Sequence, residues 1–134
     1  MAENTVVKDQ LTDAMVEAGA ELTRKLDEAG LLTNAALWLF VPEINEWRLL
    51  FASPEVSAQG PRQVYEQIRL ALEQLRDKAS AAPLSVIGLL DQDAELVKLL
   101  KTAIRTGSGI DRIRFSKNVI NGHFIEDALI YRVA

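Results

Sequence analysis

The dipeptide Asn121-Gly122, set between two runs rich in β-branched and aromatic residues, restricts this chain more than any other feature. A two-residue type I′ turn needs positive φ at both central positions, which Asn and Gly tolerate best. The turn also sets register: Ile120 faces His123, and pairing proceeds outward one residue at a time, so that residues 111–133 form an antiparallel hairpin. On one side Asp111, Ile113, Phe115 and Lys117 then oppose Arg132, Ile130, Ala128 and Glu126, giving two apolar contacts and two opposite-charge pairs. The other side sets Arg112 against Tyr131, Arg114 against Leu129, Ser116 against Asp127 and Asn118 against Ile125. It is the more polar side, and Arg112, Arg114, Asp127 and Tyr131 make it a candidate recognition surface.

Upstream, the hydrophobic spacing alternates between helical and strand periods. Val7, Leu11, Met15, Ala18, Leu22 and Leu26 predict a helix over 6–29, stopped by Gly30 and carrying Gly19 as a mark of close packing. Residues 35–41 read as a strand with both faces apolar. A short loop then leads to a second strand over 47–52, close enough to pair antiparallel, with Trp47, Leu49 and Phe51 on its wholly apolar side. Ser53 to Gly60 reads as irregular. Pro61 suits a first helical position, and Val64, Ile68, Leu72, Leu75 and Ala79 stripe the helix that follows. A strand over 84–90 precedes a third helix bearing Leu96, Leu99, Leu100, Ala103 and Ile104, with Asp91 and Asp93 placed to cap it.

The expected fold is therefore α/β (or α+β): one mixed five-stranded sheet with three helices in the order α-β-β-α-β-α-β-β, ending in the antiparallel hairpin. The strands near 37 and 87 are the expected interior ones, because neither alternates cleanly. If strand order advances steadily, the second and third helices share a face, and the first helix or a partner subunit covers the other. A length of 134 residues suits one domain, 1–134, with residues 1–5 expected to be flexible. With 49% hydrophobic and 25% charged residues the chain can build a core. Cysteine is absent, excluding disulfides and thiolate chemistry. Met1 to Thr5 lack the pattern of an export signal, and the longest apolar stretch, 35–42, is too short to cross a bilayer. These features point to a soluble cytoplasmic protein with no membrane role, and the net charge of −4 disfavours nucleic acid.

Candidate chemistry divides into three groups. Asp91 and Asp93 follow a strand end, where α/β sheets place ligands, and could hold a divalent metal. Helix capping is the plainer reading. Glu46 and Lys98 can be added to them as a nuclease-like set, without a diagnostic spacing. Lys98, Lys101, Arg105, Arg112, Arg114 and Lys117 concentrate positive charge and could meet phosphate, or simply solvate two different surfaces. The only histidine, His123, flanks the turn and reads as an exposed turn residue. Trp38 and Phe40 share one strand face and could form either core or a dimer interface. With no coherent catalytic set and no cofactor implied, the sequence favours a small interaction or regulatory subunit. It would be a homodimer, or bind another protein, through an apolar sheet face. The alternative is a metal-dependent phosphoester enzyme or a phosphate or nucleic-acid binder using Asp91, Asp93, Lys98, Arg112 and Arg114.

Overall fold

The terminal hairpin forms in the expected register in the computed structural model, which describes residues 7–134. Strand β4 (Ile113–Ile120) pairs with β5 (His123–Val133), with Ile113 opposite Ile130, Phe115 opposite Ala128 and Ile120 opposite His123. Asn121 and Gly122 take φ of 49° and 81°, as a type I′ turn requires. Both expected charge pairs are absent. Lys117 adopts φ 47° and leaves no ladder partner for Glu126, while Asp111 lies before the strand and Arg132 turns to Asp27 instead. The kink at Lys117 also changes which residues face which way. Ile113 and Phe115 lie on the same side as Ile120 and Ile125, so Ile125 belongs to the apolar side and not to the polar one.

The remaining elements are α1 (Asp13–Glu28), β1 (Ala35–Val41), β2 (Glu46–Ser53), α2 (Glu55–Gln59), α3 (Pro61–Leu75), β3 (Ile87–Asp91) and α4 (Glu95–Ala103). The first helix is shorter than its periodicity suggested. Thr12 ends the preceding extended segment by accepting a hydrogen bond from Met15 N–H at 3.1 Å, and Val7 and Leu11 lie outside the helix. Its far end closes as a Schellman turn: Gly30 N–H donates to Asp27 O and Leu31 N–H to Leu26 O, with Gly30 at φ 84°. The stretch read as irregular contains α2. The predicted flexibility of residues 1–5 lies outside the described residues.

The mixed sheet has the order β3-β2-β1-β5-β4, with β2 and β3 parallel and the other pairs antiparallel. Strand β1 is central, as expected, but β3 is an edge strand. Its double-sided apolarity arises because helices lie on both of its faces. Helices α3 and α4 occupy opposite faces. Strand order does not advance steadily: after β3 the chain crosses under the sheet through α4 and resumes at the far edge. Helices α1 and α3, together with the segment before α1, cover the face bearing Trp38, Phe40, Trp47, Leu49, Phe51 and Tyr131. Helix α4 lies on the face bearing Leu37, Ala128 and Ile130.

A β-bulge fixes how the first helix sits. Between the Ala36–Arg132 and Leu37–Ile130 pairs, β5 carries one extra residue, Tyr131. Tyr131 and Arg132 therefore both reach the α1 side. Tyr131 Oη donates to Val16 O at 2.6 Å and accepts from Trp38 Nε1 at 3.0 Å, and Trp38 Nε1 also lies 3.1 Å from Met15 O. Burial drives the Tyr131 hydroxyl pKa upward, against the Trp38 hydrogen bond. Arg132 forms a bidentate pair with Asp27 at 2.9 and 2.7 Å and donates to Gly109 O at 3.0 Å. Gly19 is what lets the helix approach. A Cβ there would stand 2.3 Å from Tyr131 Oη and 2.7 Å from Trp38 Nε1.

Gly19→Ala is accordingly expected to lower unfolding stability by roughly 1–3 kcal/mol, because the buried tyrosine has no room to yield. Gly109→Ala, where a Cβ meets nothing within 4 Å, should leave stability nearly unchanged. Urea melts of the two variants beside the parent chain measure the difference.

Candidate functional site

Two surface sites emerge, one on each side of the sheet. The first is a groove of about 470 Å³ between α4 and the hairpin tip, lined by Leu96, Leu99, Phe124 and Ile125 with Glu95, Lys98, Thr102, Asn121 and His123 at its polar positions. The hairpin turn places Asn121 against the helix, with Asn121 Nδ2 3.5 Å from Thr102 Oγ1. His123 is exposed, with Nδ1 3.2 Å from Asn121 O. Beside the groove, Val119 and Phe124 face each other across the hairpin and are each 59% exposed. The sequence placed these residues on strands without marking their exposure, since the Lys117 kink that reorients them is not a local sequence signal.

The second site lies at the end of the α1 side, around Asp127. This carboxylate accepts from Arg114 Nε and Nη2, from Ser116 Oγ and from Lys8 Nζ, all at 2.7 Å. Burial alone would raise its pKa. The hydrogen bonds from Arg114, Lys8 and Ser116 outweigh that effect and hold the carboxyl well below its usual range. The same bond to Asp127 raises Arg114. Phe40 and Trp47 form adjoining walls, their ring centroids 5.4 Å apart and their planes tilted by 57°. Lys8 Nζ lies 4.8 Å from the Phe40 centroid and 5.6 Å from that of Trp47, while the Arg114 guanidinium lies 5.5 Å from Trp47.

The sequence-derived candidates distribute as follows. Arg114 and Asp127 meet directly, whereas Arg112 binds Glu17 at 2.6 Å and lowers the pKa of that glutamate by their hydrogen bond. Trp38, Phe40 and Tyr131 are buried within the chain, beneath α1 and the segment before it, and present no aromatic surface to a partner. Of the interaction residues expected from sequence, Trp38 and Tyr131 lie wholly in the core, while Phe40 and Asp127 are covered by Lys8 of the segment before α1. The aromatic strand face found its cover inside the chain. Lys98 lines the hairpin groove, Lys101 and Arg105 line a separate small cleft with Thr106 and the C-terminal residues, and Arg112 and Arg114 are engaged on the α1 side. The proposed phosphate set is therefore split among three surfaces.

The acidic candidates are also separated. Asp91 pairs with Ser53 at the end of β2, while Glu46 begins that strand, which puts them roughly 20 Å apart at the rise of an extended chain. Neither Asp91 nor Asp93 caps α4, whose N-cap is Ala94. Asp91 Oδ1 accepts instead from Gln92 N–H at 2.9 Å. Among the described residues, no three His, Asp or Glu side chains gather as a metal-ion set. Among them, too, no helix is long and apolar enough to cross a membrane. Comparison with known proteins finds no matching family model, no matching curated protein and no matching solved structure.

The depressed pKa of Asp127 has a definite pH signature. A carboxyl whose folded pKa lies below its unfolded value contributes stability above the unfolded value and loses it as pH falls toward the folded one. The ordinary value is 3.8, so the loss should set in below that pH. Asp127→Asn is expected to be much less stable than the parent at pH 7, with the gap narrowing below pH 3.8. Denaturant midpoints across an acid titration of both proteins read this convergence.

Proposed function

We propose that the chain is a small protein-interaction subunit that pairs with a second copy of itself through the hairpin tip and the groove that adjoins it beside α4. The observation that carries this reading is the Val119–Phe124 pair, two large apolar side chains 59% exposed beside an apolar groove. Isolated exposed apolar residues are ordinary on a protein surface, but a cross-strand pair adjoining a groove is a contiguous patch. Cover on the α4 side, where the groove lies, is also short. A nine-residue helix is about 13 Å long, whereas five strands span about 19 Å. Leu39, Leu50, Leu96 and Leu99 accordingly remain half-buried around α4.

A second copy suits this patch better than a strongly charged partner. Glu95 and Lys98 give the groove one charge of each sign, so under two-fold symmetry each can meet its opposite. The protruding Val119–Phe124 tip and the receiving groove are neighbours on one chain, which is the arrangement an isologous contact needs. In this reading the tip of each copy enters the groove of the other. The apolar surface in this reading is the hairpin tip with the groove beside α4, not the strand face of Trp38 and Phe40.

Sedimentation equilibrium over a concentration series should reveal a monomer–dimer equilibrium. Phe124→Asp should weaken it by at least about tenfold, as expected for loss of a central aromatic anchor. A parent chain that remains monomeric throughout, or a Phe124→Asp variant that dimerises equally well, would overturn the proposal.

A further inference from the structure

The extended segment before α1 is held in the manner of a bound peptide. Asn45, in the turn between β1 and β2, takes φ 51° and reads the backbone on either side of Lys8: its Nδ2 donates to Val7 O at 3.1 Å, and its Oδ1 accepts from Asp9 N–H at 3.1 Å. Trp47 Nε1 donates to Asp9 O at 2.9 Å. Between these main-chain contacts, the Lys8 ammonium enters the corner made by Phe40, Trp47 and Asp127. Backbone bonds supplying affinity and one side-chain pocket supplying specificity are the general grammar of extended-peptide recognition.

We propose that Phe40, Trp47 and Asp127, together with Asn45, form a lysine-recognition site that the chain fills with its own Lys8 and that a lysine-bearing extended segment of another protein can occupy instead. The corner supplies what an ammonium ion requires: two aromatic faces and a carboxylate held ionised. Asp127 does not depend on Lys8 for its hydrogen bonding, because Arg114 reaches both of its oxygens and Ser116 adds a further donor. Lys8 is therefore related to the corner as a ligand is to a site. Its side chain is 38% exposed, and a cleft of about 380 Å³ lies alongside, lined by Asp9, Gln10, Leu11 and Trp47 among others, so a competing segment has an approach. Displacement would uncover Trp47 Nε1 and the faces of Phe40 and Trp47, surface that the incoming segment covers again.

The occupant is a separate protein, not the same segment of a second copy. Asp9 is only three residues from Thr12, which is committed to the α1 cap, and three extended residues reach about 11 Å at most. Exchange between copies would require the two lysine sites to lie nearly against each other.

The test uses the full chain carrying Lys8→Ala and a capped pentapeptide of sequence Val-Lys-Asp-Gln-Leu, with the same peptide acetylated on its lysine as control. Calorimetry gives the affinity, and the indole N–H resonance of Trp47 in heteronuclear NMR gives the location. The Lys8→Ala chain should bind the peptide saturably and shift the Trp47 resonance. The parent chain should bind at least roughly tenfold more weakly, because its tethered lysine competes at high effective concentration. Acetylation should weaken binding by roughly tenfold or more, through loss of the ammonium charge. Asp127→Asn added to Lys8→Ala should abolish the discrimination between the two peptides. Should that double variant fail to fold by circular dichroism, Trp47→Phe added to Lys8→Ala keeps an aromatic wall, removes the donor to Asp9 O, and should weaken both peptides alike. A folded Lys8→Ala chain with no saturable shift, equal binding of both peptides, or dimers formed by exchange of the N-terminal segment would each overturn the proposal.

Discussion

Trp38, Tyr131 and the first turns of α1 form a junction on which the arrangement of the α1 side depends. Trp38 belongs to the central strand and Tyr131 to its neighbour, and both are fully buried. Each carries a polar atom that cannot be left unpaired at that depth without a penalty of a few kcal/mol. The nearest partners are the Met15 and Val16 carbonyls of α1, whose second lone pairs can accept a bond without releasing the helix. Satisfying the two side chains therefore pins the helix at one height and one distance, and Gly19 makes that distance possible.

The junction's consequences extend along the helix in both directions. At its C-terminal end, the same bulge that admits Tyr131 turns Arg132 to the α1 side, where it clasps Asp27 beside the Schellman turn. At its N-terminal end, the helix stops at Thr12 before covering Phe40 and Trp47, so an extended segment covers them instead. The lysine corner is thus a product of a helix that ends early over an aromatic sheet. The opposite side has a related shortage, a nine-residue α4 lying under five strands, and there the uncovered area remains as the groove.

The ion pairs that join one element to another follow from packing, beside local pairs such as Glu21–Arg24 and Glu66–Arg69 within the helices. Asp27 and Arg132, Glu17 and Arg112, and Lys8 and Asp127 are all distant in sequence, whereas the cross-strand pairs expected for Asp111–Arg132 and Lys117–Glu126 do not form. An exposed pair such as Glu17–Arg112 contributes little to stability. Arg132 and Asp127 differ because their side chains are only 4% and 6% exposed, and on Asp127 several donors converge. The Asp127 cluster acts as a positioning device that holds a carboxylate ionised beside two aromatic rings.

Much of the fold was legible in the chain. The Asn121-Gly122 turn, the hairpin register, the antiparallel pairing of β1 with β2, the Gly30 stop and the close packing at Gly19 all follow from local turn chemistry, glycine geometry and hydrophobic period. Those forces act over a few residues, so the sequence expresses them directly. Of the two candidate sites, only the Arg114–Asp127 neighbourhood could be anticipated, because both residues lie on one hairpin face. Tertiary structure alone decided that Tyr131 and Arg132 share a side, that Ile125 turns inward, that α4 crosses under the sheet to its far edge, and that Lys8 reaches Asp127. Each depends on a bulge, a left-handed residue or a crossing whose stability comes from partners distant in sequence, and no local pattern records such partners.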